Sequence, residues 1–335
     1  MKSFIVNKDQ NGLHVVKVST EVFPGLKAAD LYKALKHKDI RIDGKKISSD
    51  VKVTEGQEVQ VWLPDSLFDG EGDKVVIKKD PDYKIVAETD GLLIVNKRQG
   101  LPVHSGKNTG EQNLIDIIRR DTGNRSLELV HRIDMNTGGM VMLAKNKDYL
   151  EDAIELFRKD LVTKRYRCLV LGVPEGGETV LCKDDAIMNE VSAFLEKTRS
   201  GEVYVHDTEH PGDLPITTRY RVLQVFKGAG PEGTDVSEIE CELVTGRTHQ
   251  IRAQFAHLGH PIVGDGNYGR NKDNLFFKRK DGGRVRYQQL FATSLLLGKI
   301  PVTNSHHVLS GRNFTTEPRY EAVIVTGKKR NGNGR

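Results

Sequence analysis

Asp134 is the residue from which chemistry can be argued most directly. It lies in the segment His131-Arg132-Ile133-Asp134-Met135-Asn136-Thr137-Gly138-Gly139, which runs straight into Met140-Val141-Met142-Leu143-Ala144-Lys145. One carboxylate is thus set between a basic pair and a tight Thr-Gly-Gly turn. The unbroken methionine, valine and leucine block after the turn reads as a fully buried strand. Asp134 is therefore held by rigid backbone at a strand start, beside Arg132. An aspartate so placed either stabilises the turn or serves as a carboxylate nucleophile or base. The second role demands partners from elsewhere in the chain.

Two segments offer them. Thr163 to Gly172 reads as a strand with Tyr166, Cys168 and Val170 on one face. Leu243-Val244-Thr245-Gly246-Arg247-Thr248-His249-Gln250-Ile251-Arg252 reads as a strand, a glycine turn and a helix start. Ile251, Phe255 and Leu258 fit helical spacing, which sets Arg252 beside the packed face rather than buried in it. Gly264-Asp265-Gly266-Asn267-Tyr268-Gly269 follows. Its glycine spacing imitates a dinucleotide-binding motif, but no helical pattern opens after it, so a turn shaping the site rim is expected. His249, His257 and His260 suggest zinc, yet Pro261 ends their helix and no glutamate supplies a metalloprotease base. His249 reads as a hydrogen-bonding residue that orients the turn.

Taken in order, these segments resemble the RluA family of RNA pseudouridine synthases over roughly residues 85 to 300. The resemblance begins with Leu93-Ile94-Val95-Asn96-Lys97 and Gly100-Leu101-Pro102-Val103-His104. It continues through the Asp134 block, the Lys164-Arg165-Tyr166 strand, Thr218 to Leu223 and the Gly246 to Arg252 segment. Three departures stand out. Arg98 follows the Asn-Lys pair where the family usually has proline, the turn after Asp134 is Thr-Gly-Gly instead of Thr-Ser-Gly, and Leu290-Phe291-Ala292 replaces Leu-His-Ala. None of them removes a charged group assigned to chemistry.

The resemblance implies an α+β fold: a mixed, mostly antiparallel sheet catalytic domain of pseudouridine synthase type behind a small N-terminal α+β RNA-binding domain. It implies conversion of uridine to pseudouridine in structured RNA, with large-subunit ribosomal RNA ahead of transfer RNA. The glycosidic bond breaks, the uracil turns, and the base rejoins through carbon 5 without redox change, so neither cofactor nor metal is expected. Asp134 would be the catalytic carboxylate, and Arg252 would hold it bidentately. Tyr166 would lie against the uracil and remove the carbon-5 proton. Arg132 would contact phosphate or fill the gap left by the flipped base. Lys97, His104, Arg247 and His249 are expected along the RNA path. The rival reading is a non-catalytic RNA-binding or ribosome-assembly protein on the same scaffold, and the Thr-Gly-Gly departure is its support.

Composition sets the frame. The chain has 335 residues, enough for two domains. It has no apolar stretch of membrane-spanning length, and its N-terminus turns polar at Asn7, unlike a signal peptide. Cys168, Cys182 and Cys241 lack metal-ligand spacing and are expected as reduced core thiols of a cytoplasmic protein. With 51 basic against 46 acidic residues, overall charge does not identify a nucleic-acid binder, so local clusters must. Lys33, Lys36, Lys38, Arg41, Lys45 and Lys46 form one cluster, and residues 278 to 286 form a second. Phosphate contact is expected from both.

Residues 10–64 read as the small domain, similar to the S4-like RNA-binding type first named after a small-subunit ribosomal protein. A helix from Ala28 to Lys36, an Asp43-Gly44 hairpin and an alternating strand through Val59 and Val61 carry that reading. Residues 65–81 read as a linker, 82–326 as the catalytic domain and 327–335 as a basic disordered tail. Residues 174 to 215, rich in glycine and acids, fit the family least. A monomer is the simplest expectation.

Overall fold

Period-two and period-3.6 patterns place most elements of this chain before any long-range contact is considered. The structure is a computed structural model that describes residues 1–23, 26–68, 81–106, 112–198 and 201–326. The chain divides into two units, Met1–Asp80 and Pro81–Arg335.

The first unit runs β1 (Lys2–Ile5), α1 (Val15–Val22), α2 (Ala28–His37), β2 (Ile40–Ile42), β3 (Lys45–Ile47), β4 (Glu58–Val61) and α3 (Asp65–Phe68). Its sheet has the order β1-β4-β2-β3. Asp43 and Gly44 both take positive φ, 50° and 75°, as a two-residue hairpin turn of the type that matches strand twist requires. Leu31, Ala34 and Leu35 of α2 pack with Val59 and Val61 of β4 in one small core. The unit is larger than residues 10–64. β1 pairs with β4, and Phe68 is buried in the same core, because the sheet needs a fourth strand and a cover at its open end. The closing strand, read from the sequence as running from Val51 through Leu63, is β4 alone, and near Val51 there is an isolated bridge between His14 and Lys52. Most of the expected linker (residues 69–80) and the basic tail (327–335) lie outside the described residues.

The second unit begins with β5 (Tyr83–Glu88), β6 (Leu92–Lys97), α4 (Leu114–Thr122), β7 (Glu128–Leu129), β8 (Gly138–Ala144), α5 (Lys147–Arg158) and β9 (Val162–Leu171). It continues with β10 (Glu178–Leu181), β11 (Ile187–Lys197), β12 (Val203–His206), β13 (Leu214–Phe226) and β14 (Val236–Leu243). Then come α6 (Gln250–His257), α7 (Asn271–Asn274), β15 (Leu290–Leu297) and β16 (Asn313–Thr315). The strands form one sheet with the main path β10-β11-β13-β14-β9-β15-β8-β6-β5. Its pairings are antiparallel except β15 with β8, so the expected mixed, mostly antiparallel sheet is present. Residues 174 to 215 extend this sheet as β10, β11, β12 and the start of β13.

β8 lies inside the sheet and is buried along its whole length, as an unbroken apolar run demands. Val141 and Leu143 on one face join Tyr166, Cys168, Val170, Ile251 and Phe255 in a common core. Met140 and Met142 on the other face meet Ala153 and Leu156 of α5. Leu258, expected on the packed stripe, is exposed because α6 ends before it. All three cysteines are buried and unpaired.

Two of the departures noted in the sequence meet here. Phe291 of β15 stands opposite Gly138 of β8. A Cβ at Gly138 would lie 2.7 Å from the Phe291 ring. The large ring therefore occupies the space that the missing side chain leaves.

Candidate active site

Three chain segments deliver the site. The tight turn before β8 carries Asp134, with the Thr137 N–H donating to the Asp134 carbonyl at 3.1 Å. β9 carries Tyr166 on the core face, the turn from β14 into α6 carries Arg247 and His249, and the first turn of α6 carries Arg252. Gln250 knots that turn. Its side-chain oxygen accepts from the Arg247 N–H at 3.0 Å and from the Thr245 hydroxyl at 2.9 Å. Its amide donates to the Thr217 carbonyl at 3.1 Å and to Thr218 Oγ1 at 3.0 Å. His249, at φ 57°, is the left-handed residue that turns the chain into α6.

Arg252 is only 6% exposed, which corrects the expectation that it lies beside the packed face. Its Nη1 donates to Asp134 Oδ2 at 3.2 Å. The bidentate partner is a different carboxylate. Nε donates to Asp265 Oδ2 at 2.7 Å and Nη2 to Asp265 Oδ1 at 3.0 Å. Asp265 is 0% exposed, and its Oδ1 also accepts the N–H groups of Asn267 at 2.9 Å and Tyr268 at 3.2 Å. Burial alone would lower the Arg252 pKa, but the bonds and charge of Asp265, with Asp134 adding, leave it raised and the guanidinium charged.

Around this pair sit two aromatic rings. The Arg252 guanidinium lies 5.2 Å from the centroid of the Tyr268 ring. The Tyr268 hydroxyl is 2.9 Å from His249 Nδ1, and His249 Nε2 is 3.8 Å from Asp134 Oδ2. Burial lowers the His249 pKa and Arg252 adds to that, while Asp134 opposes both. Burial also raises Tyr268, to about 12. The Asp134 side chain keeps 27% of its surface open, so a ligand can reach it. Tyr166 is buried beside it. Desolvation raises the Tyr166 phenol pKa, and the Asp134 charge raises it further. Arg132, Thr137, Lys164 and Arg247 line one cleft with Asp134, Tyr166, His249 and Arg252.

The expected RNA contacts divide. Arg132 and His104 are both exposed, with Arg132 Nη1 3.4 Å from His104 Nε2, and Arg247 is exposed on its turn. Lys97 is a correction, since it is 1% exposed and does not line an RNA path. Its Nζ donates to the carbonyls of Arg98 at 3.0 Å, Leu101 at 2.8 Å and Met135 at 2.9 Å. Three donors meet three backbone acceptors, and the residue after Asp134 is one of them, so Lys97 clamps the loop that presents the carboxylate. Burial pulls its pKa down to about 7, with Arg98 acting the same way and Asp134 opposing. Lys33, Lys36, Lys38, Lys45 and Lys46 are exposed on the first unit, and Arg41 stacks 4.9 Å from the Trp62 ring centroid.

Sequence reasoning missed Asp265 and Tyr268 as site residues, although both were on view in the glycine-rich turn. The available signal was a carboxylate followed by turn residues, which is how an aspartate caps its own backbone. The three histidines weighed for zinc go to separate partners. His249 meets Tyr268, His257 Nε2 meets Asp207 at 2.8 Å, and His260 Nδ1 lies 2.9 Å from the Leu171 carbonyl.

A sequence model of the family described as RNA pseudouridylate synthase matches residues 91–257. Ribosomal large subunit pseudouridine synthase C of Vibrio cholerae is 29% identical over 279 residues, covering 81% of each chain. The protein of the same name from Buchnera aphidicola is 31% identical over 257 residues, 74% of each. Among solved structures, human RNA Pseudouridylate Synthase Domain Containing 1 aligns with a TM-score of 0.51 at 22% identity, over 73% of this chain and 83% of that one. Domain Containing 4 aligns with a TM-score of 0.50 at 23% identity, over 70% and 88%. These two share the fold.

Proposed function

This chain belongs to the RNA pseudouridylate synthase family and isomerises uridine in RNA to pseudouridine, and we propose that Asp134 carries the reaction and that the RNA is ribosomal, from the large subunit. The observation that carries the assignment is the single hydrogen bond from Arg252 to Asp134 within a buried Arg252–Asp265 pair. Asp265 neutralises the guanidinium, so the three groups together keep one negative charge. That charge resides on the only member open to a ligand. One bond fixes the Asp134 rotamer, and the remaining lone pairs stay available to the nucleoside. A carboxylate facing Arg252 alone would be damped by a full counter-charge.

Tyr166 lies against the uracil and takes the carbon-5 proton after the base rejoins. Arg132 and His104, paired at the surface, meet phosphate or the space vacated by the flipped nucleotide. Arg247 and His249 sit on the turn that lines the cleft beside Arg252. The lysines of the first unit, with Arg41 stacked on Trp62, give an RNA-binding surface of S4-like layout. The simplest working unit is one chain acting in the cytoplasm. No described helix is long and apolar enough to cross a membrane. The non-catalytic reading loses its support, because the Thr-Gly-Gly departure is matched by Phe291 packing over Gly138.

The test is tritium release from RNA labelled at carbon 5 of uridine, using ribosomal and transfer RNA from cells lacking this protein. Wild type releases tritium from large-subunit RNA, and Asp134→Asn binds that RNA with unchanged affinity but releases none. Turnover by Asp134→Asn would remove the assignment. Release from transfer RNA alone would move the substrate.

A further inference from the structure

We propose that His206, His210 and Asp213 form a binding site for one divalent transition cation of the zinc class, at the turn between β12 and β13. The site lies apart from the cleft and stands independently of the substrate assignment. His206 ends β12, and β13 starts at Leu214, so a short turn brings two imidazoles and a carboxylate together. One ligand atom from each lies within 4.8 Å of the others. The two rings already pack edge to face, with centroids 4.4 Å apart.

Asp213 supplies the strongest argument. Its side chain is 2% exposed, yet its one hydrogen bond among the described residues comes from the His210 N–H at 3.1 Å. The nearest cationic group is His210 itself, with Nδ1 3.5 Å from Asp213 Oδ2, and it is charged only when protonated. No lysine or arginine among the described residues pairs with it within 4.0 Å. A buried carboxylate without a counter-charge is costly, and a bound cation between Asp213 and the imidazoles removes that cost.

The donor set selects the ion. Imidazole nitrogen with a carboxylate oxygen suits zinc, cobalt or nickel, whereas calcium and magnesium take oxygen ligands. A tetrahedral ion with bonds of about 2.0–2.2 Å holds its ligands roughly 3.3 Å apart. The 55% exposed His210 side chain is free to close that gap by rotation. Glu196 of β11 lies beside the site, with Oε2 3.3 Å from His206 Nε2. It either orients that ring or supplies a fourth ligand. The adjoining Asp207 holds His257 at the end of α6, so the ion would brace the turn against the helix that carries Arg252.

The experiment uses the full-length protein, stripped with chelator and titrated with zinc chloride against a chromophoric zinc indicator. Cobalt(II) in a parallel titration reports geometry by its visible absorption. One equivalent of zinc is expected, with tetrahedral cobalt bands. His210→Ala alters an exposed side chain and is expected to keep the fold, checked by circular dichroism. It should weaken zinc binding at least about tenfold and abolish the bands, and Asp213→Asn should do the same. Failure of the wild type to bind one equivalent would overturn the site. Unchanged binding by a folded His206→Ala/His210→Ala variant would overturn it equally, by assigning the ion elsewhere.

Discussion

Replacing Asp265 by asparagine tests the electrostatic arrangement more sharply than replacing Asp134, the carboxylate proposed to react. Asp265 is 0% exposed and touches no ligand surface, so any effect must travel through Arg252. An amide has one acceptor oxygen where the carboxylate has two. If that oxygen keeps the Oδ1 place, accepting from Arg252 Nη2, Asn267 and Tyr268, the NH2 faces Arg252 Nε, 2.7 Å from Oδ2 in the native protein. If the amide flips, the NH2 faces three N–H donors instead. Either way a donor meets a donor and the buried guanidinium loses its counter-charge. Breaking a buried pair from one side costs about 3–5 kcal/mol. For a unit of this size that lowers the melting temperature by roughly 6–20 °C.

Catalysis should suffer separately. Arg252 is drawn towards Asp134, its remaining carboxylate, and loses the fork that aims Nη1. A hydrogen bond to a charged group is worth about 1.5–3 kcal/mol, which corresponds to roughly a 10- to 150-fold loss of turnover. The assays are thermal unfolding by circular dichroism and single-turnover tritium release well below the lowered melting point, with RNA affinity measured alongside. Affinity should stay within about twofold, since a group with no exposed surface offers nothing to RNA. Native melting with native turnover would refute the charge argument. Loss of affinity in step with turnover would show that Asp265 shapes the binding surface instead.

Three further outcomes follow from the same structure. Tyr166→Phe should lower single-turnover release by about 10²–10⁴ with RNA affinity intact. Because burial and Asp134 raise the phenol pKa, phenolate stays a minor species between about pH 7 and 9 whose fraction grows with pH, so the wild-type rate should climb across that window without a plateau; a flat profile would exclude the phenol as base. His131 Nε2 accepts the Met142 N–H at 3.1 Å, and burial with Lys164 nearby lowers its pKa from 6.5 to about 3. Between those values the unfolded chain binds the extra proton, so stability is full above pH 6.5 and falls on acidification, by up to about 1.4 kcal/mol per pH unit. His131→Gln should remove that component from denaturant titrations across the window, and an unchanged acid slope would contradict it. Gly138→Ser should destabilise by about 1–3 kcal/mol through contact with Phe291. Adding Phe291→His should recover part of the loss, whereas strict additivity would mean that the two positions do not share that space.

Much of the site was legible because it depends on local patterns. Asp134 opens a turn that feeds an apolar run, and a run of that kind has to be a buried strand wherever it packs. Alternation in β9 put Tyr166 on the same face as Cys168 and Val170 before their partners were known. The turn and helix after β14 carried Arg252 for similar reasons, and the helix, hairpin and closing strand of the first unit followed from spacing and an Asp-Gly pair. Boundaries were less secure. β1 and Phe68 joined the first unit through strand pairing and core packing, which no local pattern records.

What the sequence by itself determined, then, is which faces are apolar, where the chain turns, and which segments carry Asp134, Tyr166 and Arg252, the three residues proposed to react. Tertiary structure alone decided who pairs with whom. Local pattern put Arg252 beside the packed face, but a charge can be buried only where a counter-charge meets it, and Asp265 supplies that from a turn beyond the helix. Lys97 has the look of a surface lysine among Asn96, Arg98 and Gln99. It is buried because three carbonyls from two loops converge on its ammonium. Gly138 and Phe291 looked like unrelated departures until β15 paired in parallel with β8 and set one against the other. Periodicity is a property of neighbours along the chain, whereas charge neutralisation and close packing are settled by distances in space.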